Sequence, residues 1–237
     1  MAGGRASVSV VIPVWNEADR LPRLLGALER CRPAPLEVVV VDGGSTDRTR
    51  ELTRGRARLL TAPRGRAAQQ CVGAHAARGD ALWFLHADSV PAHGAIGEIA
   101  AALEAGAPGG CFRIVFPTEE RRCHPLLPVI ERGINARTRL TRTGTGDQGI
   151  FIGRDLFEQL GGFPPWPLFE DVGLFRGLKA TGRPAIARGP LETSARRWLA
   201  HGVIRTMVTM WALRLGFAAG VSPERLARFW RGGGAPA

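Results

Sequence analysis

Short apolar runs alternating with helical periods are the feature that most narrows what this chain can fold into. Residues 8–14, 37–41, 57–61 and 81–85 are rich in valine, isoleucine, leucine and aromatic side chains, and each is too short for a helix. The first two are β-branched runs, the pattern of strands buried on both faces of a parallel sheet. Between the first pair, Leu21, Leu24, Leu25 and Leu28 recur at helical spacing. "GGSTDRTRELTRG" predicts a short helix capped by Ser45 or Thr46 and stopped at Gly55, and residues 65–78 predict an alanine-rich helix. Strand and helix alternating through short loops imply a parallel sheet with helices on both sides.

The second half is less regular. Helical spacing recurs over residues 96–103, and "GGCFRIVF" at 109–116 predicts a strand. Residues 119–142 are basic and punctuated by proline, and are expected to be partly helical. A short strand lies in "QGIFIG", a turn in "GGFPPWP", and a helix of about three turns in "EDVGLFRGLKATG", closed by Gly182. Without repeats or a low-complexity linker, residues 1–200 read as one domain. Residues 201–237 read as an apolar helical segment packed on it.

In an open parallel sheet, ligands bind at the carboxyl ends of the strands. Here those ends carry "PVWNE" (13–17), "DGGSTD" (42–47), "APRGR" (62–66) and "HADS" (86–89). Ser45 and Asp47 would serve equally well as helix caps. Asp42 differs, because it ends a buried strand and precedes two glycines. Its carboxylate could meet a ribose or a base N–H, with Gly43 allowing close approach. A dinucleotide fold would need G-x-G-x-x-G after the first strand, and Pro13-Val14-Trp15-Asn16-Glu17 stands there instead. A P-loop is absent as well. Diphosphate charge must then be met by a divalent cation, by Arg64 or Arg66 near a helix start, or by both. His86 and Asp88, at i and i+2 from a strand end, are a candidate pair for Mg²⁺ or Mn²⁺.

Charge fits an anionic partner. The 237 residues carry a formal net charge of +11, almost all of it on arginine, with Lys179 the only lysine. The planar guanidinium suits phosphate and carboxylate. A nucleotide diphosphate, an acidic lipid surface and nucleic acid all satisfy that observation, and so does a genome that favours arginine codons. Cys31, Cys71, Cys111 and Cys123 have no zinc-site spacing, and reduced thiols in a cytoplasmic protein are expected. The opening apolar run is broken by Pro13 and reads as a strand, not a signal peptide.

"SVVIPVWNEADRLPRLLGAL", "EVVVVDGGSTDRT" and "GDALWFLHADS" together resemble the successive nucleotide-binding motifs of family 2 glycosyltransferases with the GT-A fold. "GDQGIFIGRDLFEQLGGFP" and "LFEDVGLFRGLKATG" are similar to that family's acceptor-side region. Within the family, the "HAD", "GDQ", "ED" and "SARRW" elements resemble a small bacterial subgroup associated with arsenosugar biosynthesis. The resemblance implies an α/β GT-A fold with a mostly parallel central sheet and a C-terminal helical appendage. It implies metal-dependent, inverting transfer of a sugar from a UDP-linked donor to an acceptor that the sequence does not identify. No nucleic-acid partner is implied.

Carried over by position, Pro13, Asn16 and Glu17 fall in the nucleotide-binding loop, and Asp42 is expected at the uracil. Asp88 matches the last acid of the D-x-D motif. His86 stands where that motif has its first aspartate, giving the site one negative charge less and favouring Mn²⁺. Gln148 follows Asp147 on the donor side. Asp171 matches the general base at a helix start, where an ionised carboxylate is favoured, and Glu170 and Asp147 are candidates to share the task. His201 is a candidate third metal ligand.

Trp198, Val203, Ile204, Met207, Val208, Trp211, Leu215 and Phe217 make the last segment broadly apolar, with Arg196, Arg197, Arg205 and Arg214 around it. It is expected to be a core helix, a homodimer contact or a helix lying peripherally on the inner membrane face. Two other classes remain beside the transferase. A sugar-nucleotide nucleotidyltransferase would want a glycine-rich loop after the first strand, which is missing. A catalytically degenerate sugar-nucleotide-binding module is suggested by His86.

Overall fold

The computed structural model describes residues 6–232, so residues 1–5 and 233–237 of the two expected segments lie outside the described residues. In chain order the elements begin β1 (Val8–Val14), α1 (Leu21–Arg30), β2 (Glu37–Asp42), α2 (Thr49–Thr53), β3 (Arg58–Thr61), α3 (Arg66–Ala76) and β4 (Ala81–Phe84). Next come β5 (Val90–Pro91), α4 (Ala95–Glu104), β6 (Gly109–Val115), α5 (Thr118–Cys123) and α6 (Leu127–Thr141). A 3₁₀ turn at Gly146–Gln148 leads to β7 (Phe151–Gly153), α7 (Arg154–Gln159), α8 (Glu170–Thr181) and β8 (Ala185–Glu192). The described chain closes with α9 (Arg196–His201), α10 (Val203–Ala218) and α11 (Pro223–Gly232).

The strands form one sheet in the order β3-β2-β1-β4-β7-β6-β8-β5. β3, β2, β1 and β4 run parallel, as the β-α-β alternation predicts. Beyond β4 the sheet is mixed: β7 lies antiparallel to both β4 and β6, β8 parallel to β6, and β5 antiparallel to β8. The expected predominance of parallel pairing therefore holds for the first half and weakens in the second. There the connections are too irregular for repeated crossover helices to keep the strands aligned.

Strand alternation divides the core. Val10, Ile12 and Trp83 join α1 and α4 on one face of the sheet, while Val11, Leu82 and Phe84 join α3, α7 and α8 on the other. Both faces being covered is why these runs have no polar side. α3 lies close against the sheet because Gly73 has no side chain: a Cβ there would come within 2.9 Å of Val41 and clash with Val11. The C-terminal helices pack against the start of α8, where Leu213, Leu226 and Phe169 share a small core with Met210, Phe217 and Trp230. Among the described residues, no helix is long and apolar enough to cross a membrane.

Candidate active site

The loops after β1 and β2 are tied into one unit. Asn16, at φ 52°, accepts the Thr46 N–H on its side-chain oxygen at 2.8 Å, and its own N–H donates to Ser45 Oγ at 2.9 Å. The N–H of Glu17 donates to Thr49 Oγ1 at 2.8 Å, and that of Ala18 to Asp47. Ser45 and Asp47 thus bridge loops rather than simply cap a helix. Asp42 is fully buried and accepts N–H groups from Gly44 and Ser45, an arrangement that shapes its own loop. Arg50 Nε stands 3.8 Å from the same carboxylate.

Gly43 is needed for a close contact, but with protein: a Cβ would come 3.0 Å from Gln69, whose amide donates to Val14 and Val41 carbonyls. Pro13 is half-buried within β1. Arg64 lies 3.4 Å above the Trp15 ring, a cation–π contact at the mouth of the first loop. Arg66 begins α3 and reaches to 3.9 Å from Glu170.

Strand β4 ends at Phe84, so His86 and Asp88 do not follow strand alternation. A turn closes instead, with the Ser89 N–H donating to the His86 carbonyl at 3.1 Å. The two side chains then have different neighbours. His86 packs on Gly146, where a Cβ would be 2.9 Å from Nε2, and Nε2 itself is buried without a hydrogen-bond partner. Burial and the positive charges of Arg66, Arg197 and Arg196 pull its pKa down to about 3, so the ring is neutral. Asp88 faces Arg196, whose Nε is 3.4 Å from its carboxylate and whose Nη2 is 2.9 Å from Glu17. Burial pushes Asp88 up and Arg196 pulls it back, with a net rise.

On the far side of His86 stand the acids. Asp171 accepts N–H groups from Gly146 and from its own neighbour Val172, both at 2.7 Å. Phe169, in the left-handed region at φ 66°, turns the chain into α8 just ahead of them. Burial pushes the Asp171 pKa up despite these bonds, so the helix start does not set its ionisation by itself. Burial first, then the charge of Asp171, raises the Glu170 carboxyl to about 7. Asp147 accepts from Thr145 Oγ1, and its charge acts on Arg137 and Arg197.

Two expected site residues are placed elsewhere. Gln148 is fully buried: its oxygen accepts from Arg137, Thr138 and Thr145, and its amide donates to the Phe112 carbonyl. With both ends used internally it cannot touch a ligand, and it holds Arg137 instead. His201 ends α9 before the turn at Gly202 and is half-buried. Among the described residues no three His, Cys, Asp or Glu side chains are grouped to hold a metal, so a His86–Asp88–His201 ligand set is not formed.

Sequence reading missed the cations. Arg137, Arg196 and Arg197 stand among Asp88, Asp147 and Asp171. Of the three, only the adjacent pair in "SARRW" carries a signal along the chain, and its place beside the apolar segment hides its role. The assembled site offers paired acids whose pKa values are both raised, that of Glu170 to about 7, beside arginines able to hold a polyanion.

Residues 9–161 match the model of the family described as Glycosyl transferase family 2. The chain belongs to glycosyl transferase family 2. This family 2 chain is also 40% identical over 93 residues to an undecaprenyl-phosphate 4-deoxy-4-formamido-L-arabinose transferase of Pseudomonas paraeruginosa, a match covering 34% of this chain and 27% of the relative. It is 53% identical over 49 residues to a validoxylamine A glucosyltransferase of Streptomyces hygroscopicus subsp. limoneus, covering 20% and 11%. These matches thus span less than a third of either relative.

Among solved structures, the mannosyltransferase PcManGT of Pyrobaculum calidifontis, in complex with GDP-Man and Mn²⁺, superposes with a TM-score of 0.60 at 23% identity. The superposition covers 81% of this chain and 57% of that one. Glucosyl-3-phosphoglycerate synthase of Mycobacterium tuberculosis, with Mn²⁺, UDP and its glucosylated product, gives 0.55 at 20% identity, covering 79% and 71%. The family 2 fold is therefore the GT-A type that the motifs predict.

Proposed function

We propose that this chain transfers a sugar from a nucleotide-diphosphate donor, UDP-linked, to an acceptor hydroxyl with inversion and with help from Mn²⁺ or Mg²⁺. The observation that carries the reading is the meeting of the Glu170–Asp171 pair with Asp88 and the arginines across His86 and Gly146. The linked loops of Asn16, Glu17 and Asp42 form the nucleotide side, with Arg64 at its mouth and Pro13 in the strand that leads to it.

In the proposed reaction the acceptor oxygen bonds to the anomeric carbon as the bond from that carbon to the diphosphate oxygen breaks. The bonding pair leaves with the nucleoside diphosphate, and the hydroxyl proton passes to Asp171. Glu170 stands beside it, its own carboxyl raised to about 7 by burial and by the charge of Asp171. Asp147 stands near enough for its charge to act on the same arginines. Arg66, Arg196 and Arg197 bind the diphosphate and stabilise the negative charge it gains.

The residues fit a divalent cation held mostly by its substrate. Mg²⁺ commonly uses one or two carboxylates plus phosphates, and Asp88 supplies one. The unpartnered Nε2 of the neutral His86 is a second donor atom, but its place against Gly146 rather than with Asp88 argues for a ligand contact apart from the metal. When bound, the cation supplies positive charge at the departing phosphates.

The "HAD", "GDQ", "ED" and "SARRW" elements support placement in the arsenosugar-associated subgroup. We read residues 201–232 as part of the same unit, because their helices wall the approach to α8, and the protein as cytoplasmic. The test is a screen of UDP, GDP and dTDP sugars for donor hydrolysis with Mn²⁺. UDP binding with no Mn²⁺ dependence and no turnover of any donor would instead identify an inactive binding module. Full transfer activity in Asp171→Asn would refute the base assignment.

A further inference from the structure

α10 is apolar on two opposite faces, and the protein covers only one. Val203, Thr206 and Leu213 are buried, with Met210 and Phe217 packed beside Leu213. Ile204, Val208, Trp211 and Leu215 recur at four-, three- and four-residue steps, which aligns them on the opposite side. Each of the four is about 60% exposed: 61%, 59%, 62% and 64%. They form a stripe of about 16 Å along the helix. A helix apolar all round is ordinarily buried all round, so the open face calls for an occupant.

Charge selects that occupant. Residues 203–232 hold five arginines and one acid, Glu224. On the helical wheel Arg205 and Arg214 lie on either flank of the stripe. On α11, Arg225 and Arg228 are exposed beside Phe229, itself 64% exposed. A second copy would bring the same arginines face to face on a chain of net charge +11, so like charges would oppose pairing. An anionic bilayer complements both the cations and the apolar stripe, and an exposed tryptophan suits the headgroup boundary.

We infer that the α10 stripe, with Arg205 and Arg214 of α10 and Arg225 and Arg228 of α11, is a docking face for an anionic membrane surface. The helix lies along the interface and does not span it. Its covered face packs on Phe169, two residues before Asp171, so docking places the candidate site next to the lipid headgroups. The inference does not depend on the proposed reaction, because its readout is binding to lipid.

The test is co-sedimentation of the full chain with vesicles of phosphatidylcholine alone and of phosphatidylcholine mixed with phosphatidylglycerol. Binding to the mixed vesicles is expected to be about tenfold stronger or more, and to fall with added salt. Val208→Glu with Leu215→Glu should lower it about tenfold with an unchanged melting temperature, since both side chains are exposed. Should that variant fold poorly, Trp211→Ser is the milder probe. Equal binding by wild type and a folded stripe variant, or no preference for anionic vesicles, would overturn the inference. So would a lipid-free dimer, seen by analytical ultracentrifugation, that the stripe variant converts to monomer.

Discussion

Arg196 Nε lies 3.4 Å from Asp88 Oδ2, and the same guanidinium reaches Glu17 at 2.9 Å. The side chain assigned to the cation is thus paired with an arginine from α9, more than a hundred residues further along the chain. In the proposed reaction, a phosphate arriving at this point would give Arg196 a stronger bidentate partner and free Asp88 for the cation.

Removing either side of that pair should therefore act in opposite ways on the free protein. Asp88→Ala is expected to weaken Mn²⁺-dependent UDP binding by about 100-fold or more. Arg196→Gln should raise Mn²⁺ affinity without nucleotide by a few-fold, roughly the value of one half-buried ion pair, while weakening UDP. Titration calorimetry separates the two, and unchanged UDP binding in Asp88→Ala would remove the metal site from this position.

The raised acids predict a pH effect with a definite sign. Glu170 titrates near 7 in the folded protein against an ordinary 4.5, because burial and the charge of Asp171 oppose its ionisation. The two should titrate as a pair, so Glu170→Gln removes the like charge and lets Asp171 ionise more readily. The acid limb of the transfer rate is expected to move to lower pH. An unmoved limb would mean that Asp171 titrates alone.

The same shift bears on stability. A carboxyl with a raised folded pKa contributes fully below its unfolded value and loses that contribution as pH rises through about 7. At pH 8, Glu170→Gln should accordingly be more stable than wild type by about 1–3 kcal/mol, a gain absent at pH 4. Denaturant melts at the two pH values measure it.

Gly146 sits between His86 and Asp171, and a Cβ there would stand 2.9 Å from the imidazole and 3.7 Å from the carboxylate. Gly146→Ala should displace the ring and loosen the N–H bond to Asp171, lowering kcat/KM by about 100-fold while the fold persists. Wild-type kinetics in this variant would detach both side chains from the reaction.

Gln148 is expected to matter to folding rather than to ligand contact. Gln148→Leu leaves Arg137, Thr138, Thr145 and the Phe112 carbonyl short of partners in the interior. A loss of about 3 kcal/mol or more should follow, with activity falling through displaced Arg137. An unaltered thermal melt would contradict the network.

Much of this arrangement is legible along the chain. Valine-rich runs buried on both faces demand a covered parallel sheet, and that sheet puts polar loops together at one rim. Asn16, Glu17, Asp42 and Asp88 are local to strand ends, and Glu170–Asp171 to a helix start, so short-range pattern suffices to find them. Even there, pattern misjudged their company. Strand alternation put His86 beside Asp88, but β4 stops at Phe84 and the turn at Ser89 separates their neighbours.

Sequence by itself thus determined the fold class, the family and the acids at the rim, because periodicity and short motifs are local properties of the chain. Only the tertiary structure brought Arg137, Arg196 and Arg197 to those acids, buried Gln148 and left one face of α10 open. Those outcomes depend on how α6, α9 and α10 pack. Helix packing is decided by side chains far apart in sequence, which no local period records.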